Sequence, residues 1–262
     1  MALQNNSPVR YDAGAMARYS TIGRLSRLAE DQWGLVTRRQ AEHAGVSRAT
    51  LQRLSSEGVL ERLATGVYHL RGAPLPDHPE LRAAWLRLAP AVPAWERTAE
   101  QGVVSHRSAA ALYGLGDLPA DRHEFTLPTR RQSRSPDVRL HQRRLDPAEW
   151  ITLRGLPVTR PSRIAADLLD DREDTEAVAR VVVMAIRAVY DYPGTFAEAL
   201  APLAARYGLR RGDGLALLRW LLDLAGDPEA PRWMEEARDH AAREAGRATA
   251  SPAAAAATAP SA

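Results

Sequence analysis

The sequence predicts an α+β protein. An N-terminal winged helix-turn-helix domain is followed by a mixed α/β domain with a helical C-terminal part and a disordered tail. Three observations carry this. Between Trp33 and Leu70, two short amphipathic segments flank Gly45 and run into two β-rich segments around Ala64-Thr65-Gly66. From His123 to Val158 the apolar residues take the two-residue period of strands. Beyond Asp174 the helical period returns, until an Ala/Ser/Pro/Thr run begins at Arg247. With 262 residues, 45% hydrophobic and 26% charged, the chain is long enough for two globular domains.

Residues 1–20 read as a flexible leader. From Thr21 to Gln32, residues Ile22, Leu25, Leu28 and Ala29 share one helical face. Gly34-Leu35-Val36 reads as a short strand. Thr37 then offers a hydroxyl to cap a helix from Arg38 to Ala44. Gly45 closes that helix and Val46 plugs the turn. Ser47 caps a second helix, Arg48 to Ser56, which Gly58 ends through a positive φ. Val59-Leu60 and Val67-Tyr68 form the wing hairpin, completing a domain over 21–72.

In this unit the second helix enters the major groove and its N-terminal half faces the base edges. With Leu51 and Leu54 inward, Arg48, Ala49, Gln52 and Arg53 point outward. Arginine bonds guanine bidentately and glutamine bonds adenine, so Arg48, Gln52 and Arg53 are the expected base readers, with Ala49 beside them. Thr37, Arg38, Ser47 and Thr50 are expected at phosphates, and Arg62 and Thr65 reach the backbone from the wing. Each has a plainer alternative: Thr37 and Ser47 as caps only, and Arg53 paired with Glu57 one turn on. The unit as a whole has one too, a helical packing module with a solvated basic face.

The proline-rich run Arg71–Pro79 marks the expected boundary, and a second domain is expected over 78–246. It opens with a helix carrying Leu81, Ala84, Trp85 and Leu88. A helix capped by Ser105 follows, with Ala109, Ala110, Leu112 and Tyr113 inward. Strands are expected at His123–Leu127, Val138–His141, Ile151–Leu153 and Leu156–Val158, then a helix opened by Pro161. Helices at about 174–190, 195–207, 213–225 and 231–245 follow, and 247–262 is the tail.

All 35 basic residues are arginine, which excludes Schiff-base and Walker-type lysine chemistry. There is no cysteine, no basic-then-apolar leader and no run long enough to span a membrane, so a cytoplasmic protein without membrane contact is expected. Net charge is only +3, but its distribution is uneven. Thr21–Gly72 holds 8 Arg against 5 acids, Asp121–Arg163 10 against 5, and Ile164–Gly246 10 against 16. The two basic regions suit phosphate, and the loop residues Arg130, Arg131 and Arg134 are added as expected DNA contacts.

Catalytic spacing is weak. The seven histidines are scattered, and no pair sits at metal-ligand spacing on one helix. His123, Glu124, Asp137 and His141 could suggest a metal-dependent nuclease, but neighbours in a strand point to opposite faces. Ser105 lacks a nucleophile elbow and no glycine-rich phosphate loop is present. The expectation is a non-enzyme with no catalytic residues, cofactor or metal.

Three blocks carry a family resemblance: GLVTRRQAEHAGVSRATLQRLSSEGVLERLATGVYHL, VVSHRSAAALYGLGDL and GLPVTRPSRIAADLL. In this order they resemble the AbiEi-type antitoxins of type IV toxin–antitoxin and abortive-infection systems of phage defence. The resemblance implies a transcriptional autorepressor that binds double-stranded DNA at inverted repeats in its own promoter. It also implies a C-terminal domain that counters a nucleotidyltransferase-like toxin without a stable complex. By position, the DNA-reading elements fall on Arg48, Ala49, Gln52 and Arg53. Some relatives carry a nuclease-like domain after the PSR helix, where this chain has acidic helices. An orphan winged-helix regulator and a protein-interaction module stand as alternatives.

Overall fold

The computed structural model describes residues 13–250. Among them the chain is mixed α/β, with ten α-helices and two sheets, in two compact units that divide between Gln101 and Gly102. No helix among the described residues is long and apolar enough to cross a membrane.

The first unit runs α1 (Ala13–Glu30), β1 (Leu35–Thr37), α2 (Arg38–His43), α3 (Arg48–Ser56), β2 (Leu60–Ala64), β3 (Val67–Leu70) and α4 (Pro79–Leu88). The leader expected over 1–20 lies partly outside the described residues, and its later part belongs to α1. β1, β3 and β2 form an antiparallel sheet in that order, with Val36 opposite Tyr68 and Glu61 opposite His69. Each boundary has a local cause. Thr37 Oγ1 accepts from Gln40 N while Gln40 Oε1 accepts from Thr37 N, a reciprocal capping box. Gly45 (φ 75°) turns the chain, and Val46 is buried against Ala41 and Leu51. Ser47 Oγ accepts from Thr50 N to start α3. Leu25, Val36, Leu54 and Leu60 complete this small core.

α4 sits in this first unit and packs on its sheet, whereas the sequence boundary at 72/78 assigns it to the second domain. The reason is burial on nearly every side. Leu81, Ala83, Ala84, Trp85 and Leu86 are all at most 5% exposed, so α4 needs a wall on more than one face. Buried polar groups fix the chain after it. Thr37 Oγ1 donates to Pro90 O, Gln40 Nε2 to Val92 O, and Ala94 N donates to Gln32 Oε1. Arg97 lies over Trp85 and donates to the carbonyls of Trp85, Leu86 and Ala89, closing the C-terminal end of α4. Burial brings its guanidinium down to about 10.

The second unit runs β4 (Val103–Val104), α5 (His106–Tyr113), β5 (His123–Leu127), β6 (Val138–Gln142), β7 (Trp150–Leu153), β8 (Leu156–Thr159), α6 (Pro161–Asp170), α7 (Thr175–Arg187), α8 (Pro193–Leu200), α9 (Gly214–Leu224) and α10 (Ala230–Ala250). Its five strands lie in the order β6-β5-β4-β8-β7. β5 pairs in parallel with β6 and antiparallel with β4, and β4 pairs in parallel with β8. β5 is buried from Glu124 to Leu127, so it does not show the half-buried alternation expected of it. β4, two residues long, is absent from the sequence reading. α7 ends at Arg187 rather than near Tyr190, where Val189 takes φ 55°. The stretch Ala201–Tyr207 is a 3-10 helix. The tail expected over 247–262 is helical to Ala250, and the rest lies outside the described residues.

Ser105 stands at the N-cap of α5 without capping it, contrary to the sequence expectation. Glu124 takes that role from β5: its Oε2 accepts from Arg107 N at 2.9 Å. The Ser105 hydroxyl is engaged elsewhere, with His106 Nδ1 and Thr126 Oγ1, each at 2.9 Å.

Candidate functional site

α3 is the exposed ridge of the first unit. Leu51 and Leu54 anchor it, which leaves Arg48, Ala49 and Gln52 in solvent on the opposite side. Arg48 forms no ion pair among the described residues. Arg53 NH1 pairs with Glu57 Oε1 at 2.7 Å, the plainer alternative for this residue. Ser47 and Thr50 share a hydroxyl contact of 3.0 Å at the N-terminal end of α3. Thr37, expected at a phosphate, is 0% exposed, and its hydroxyl is taken by Gln40 N and Pro90 O; its place is structural.

Beside the ridge a cleft of about 320 Å³ is lined by Arg38, Arg39, Arg48, Arg62 and Arg87, with Thr65, Gly66 and Tyr68. Arg38 and Arg39 share Glu42, at 3.6 and 3.7 Å. Arg62 is exposed on β2, and its Nε donates to Ala64 O at 3.4 Å. The hairpin turn at Thr65-Gly66 and the end of α4 close the cleft. Of the residues expected at DNA, the fold brings Arg38, Arg48, Arg62 and Thr65 to this one cleft, together with Arg39 and Arg87, which are not among those expectations. Arg87 lies on α4, a helix that the sequence boundary places in the other domain. Arg130, Arg131 and Arg134 are exposed on the loop between β5 and β6, in the second unit.

A second polar cluster lies at the N-terminal end of α5. The imidazoles of His106 and His141 stack with centroids 3.5 Å apart and planes 13° from parallel. His141 Nε2 is 3.4 Å from Glu124 Oε1, and His106 Nε2 is 3.8 Å from Asp171 Oδ2. Arg139 NH1 lies 3.0 Å from Asp171 and 3.4 Å from Glu124. Burial, helped by the charge of His141, pushes His106 down to about 2, so it is neutral. Burial pushes Glu124 up, but the bond to His141, the neighbouring His106 and the Arg107 N–H bring it below its ordinary value. Burial raises Asp171.

Of the four residues weighed for a nuclease, the fold thus brings Glu124 and His141 together, with His106, Arg139 and Asp171 beside them. His123 pairs through its backbone N with Asp137 O, at 2.7 Å. Asp171, at the end of α6, carries no sequence signal for this place.

Residues 24–70 match the family model described as "Transcriptional regulator, AbiEi antitoxin". No curated protein matches the chain.

Proposed function

We propose that the chain is a DNA-binding transcriptional regulator of the AbiEi antitoxin kind. α2, α3 and the β2–β3 hairpin act as a winged helix-turn-helix, and the second unit counters a nucleotidyltransferase-like toxin. The observation that carries the reading is the exposed face of α3, with Arg48 and Gln52, set beside a cleft lined by five arginines, of which all but Arg87 lie inside the segment that matches the regulator family. Base edges would be read by Arg48 and Gln52. Arg53 joins them by releasing Glu57, and Ala49 lets the helix approach closely. Ser47, Thr50, Arg38, Arg39, Arg62, Thr65 and Arg87 would hold phosphates, which fix register without reading sequence. Thr37 supports the helix from beneath. Arg130, Arg131 and Arg134 add further phosphate contacts.

The test is a titration of the full chain against duplex DNA from upstream of its own gene, with a scrambled duplex as control. Tight, salt-sensitive binding to the upstream sequence is expected, with Arg48→Ala costing about 1–3 kcal/mol and relaxing preference at one base pair. Absence of binding, or an Arg48→Ala/Arg53→Ala variant that binds as well as the parent, overturns it. The antitoxin half is read separately, by rescue of growth on co-expression with a toxin encoded beside it.

A further inference from the structure

The histidine cluster of the second unit has no part in that reading. We propose that His106, His141 and Asp171 form a site for one divalent transition-metal ion of the zinc class, for which Arg139 is the built-in competitor.

The donor atoms of the three residues lie within 4.8 Å of one another. Around a tetrahedral zinc, ligand atoms sit about 2.0–2.2 Å from the metal, and so a little over 3 Å from each other. Closing the set therefore takes a side-chain shift on the order of 1 Å, with the stacked rings fanning apart at their outer edges. The donors rest on three elements that the sheet and α6 hold in place: His106 opens α5, His141 lies on β6 and Asp171 ends α6.

The surrounding contacts orient the ligands. His106 Nδ1 is bound to the Ser105 hydroxyl, which in turn accepts from Thr126. With the proton on Nδ1, the Nε2 lone pair faces Asp171, the arrangement in which ligating histidines are normally held. Glu124, fixed by Arg107 N, engages His141 Nε2, which leaves Nδ1 as the donor of that ring. In that tautomer the Nε2 lone pair and the Asp171 carboxylate, 3.8 Å apart, face each other across a gap that suits a cation. Arg139 supplies one from the side, and its side chain is 44% exposed, free to swing into solvent when a metal takes the place. Two imidazoles and a carboxylate favour zinc, cobalt or nickel over magnesium or calcium, which prefer all-oxygen sites.

The experiment titrates Zn2+ into the full, untagged chain by calorimetry and repeats it with Co2+ followed by visible absorption. One equivalent is expected to bind, with excess Mg2+ failing to compete. Affinity should fall at least tenfold in His141→Ala and in Asp171→Asn, and rise about tenfold in Arg139→Ala, because the competing cation is gone. On the parent chain, Zn2+ should shift the imidazole 15N resonances of His106 and His141, which reads the site even if a variant fails to fold. No bound Zn2+, shifts confined to other histidines, or an affinity that the folded His141 and Asp171 variants leave unchanged overturns the proposal. DNA binding is measured on its own, so failure here leaves the regulator reading standing.

Discussion

His106 couples the second unit to pH. In the folded, metal-free chain it is held at about 2, against 6.5 when unfolded. The facing groups are Glu124 on β5, Arg139 and His141 on β6, and Arg163 on α6 with Asp171 at its end; burial is the largest cause, His141, Arg139 and Arg163 push the same way, and Glu124 opposes them. A base with a depressed folded value stabilises the fold above the unfolded value. That stability is lost as pH falls from 6.5 toward 2, because the unfolded chain takes up the proton first. In EDTA, stability should therefore drop by up to about 1.4 kcal/mol per pH unit from this residue between pH 6 and pH 5. Urea titrations at the two pH values check it, and His106→Gln should flatten that slope. Thr37 gives a second residue-scale prediction. Its hydroxyl serves the α2 cap and Pro90 O together, so Thr37→Val should cost about 2 kcal/mol or more in a denaturant melt. Were Thr37 a phosphate ligand alone, stability would stay put and only DNA affinity would fall.

At the scale of elements, α8 and α9 cross at Gly214. A Cβ there would stand 1.8 Å from Ala197 O, a backbone atom that cannot turn aside. Gly214→Ala should cost at least about 3 kcal/mol in thermal or urea unfolding. Gly208→Ala is the contrast: its backbone sits at φ 75°, which a side chain disfavours, but its Cβ would meet open space, and it should cost about 1 kcal/mol. The same contrast separates what was legible in the sequence from what was not. α2 and α3 could be read because Thr37, Gly45, Ser47 and Gly58 are local chemical signals at their ends. Arg48 and Gln52 could be read because the phase of Leu51 and Leu54 fixes the outward face. β4 is too short to show a period. The proline-rich run after Arg71 looked like a domain boundary, since nothing local reveals that α4 folds back onto β1 and β2. His106 and Asp171 meet only because α5 and α6 pack together, which no spacing in the sequence encodes.

For the whole molecule, charge decides how DNA binding should respond to salt. A net charge of +3 gives little general attraction, so affinity must come from local clusters. Five arginines line the cleft beside α3, while Ile164–Gly246 carries more acids than arginines. If four of the five meet phosphates and Arg48 reads a base, log K should fall against log salt with a slope of about −3.6 from the cleft alone, and more steeply with the β5–β6 loop engaged. Arg62→Ala should make that slope shallower by about 1 and weaken all duplexes alike. Gln52→Ala should leave the slope unchanged and reduce the preference for one base pair. Arg130→Ala/Arg134→Ala should also act on the slope and not on the preference, since those side chains stand on the second unit, away from α3 in the chain. Binding isotherms across a salt series on cognate and scrambled duplexes separate the two slope variants from Gln52→Ala. If Gln52→Ala shifts the slope and Arg62→Ala the preference, the division of labour between α3 and the cleft is the reverse of the one drawn from burial and charge.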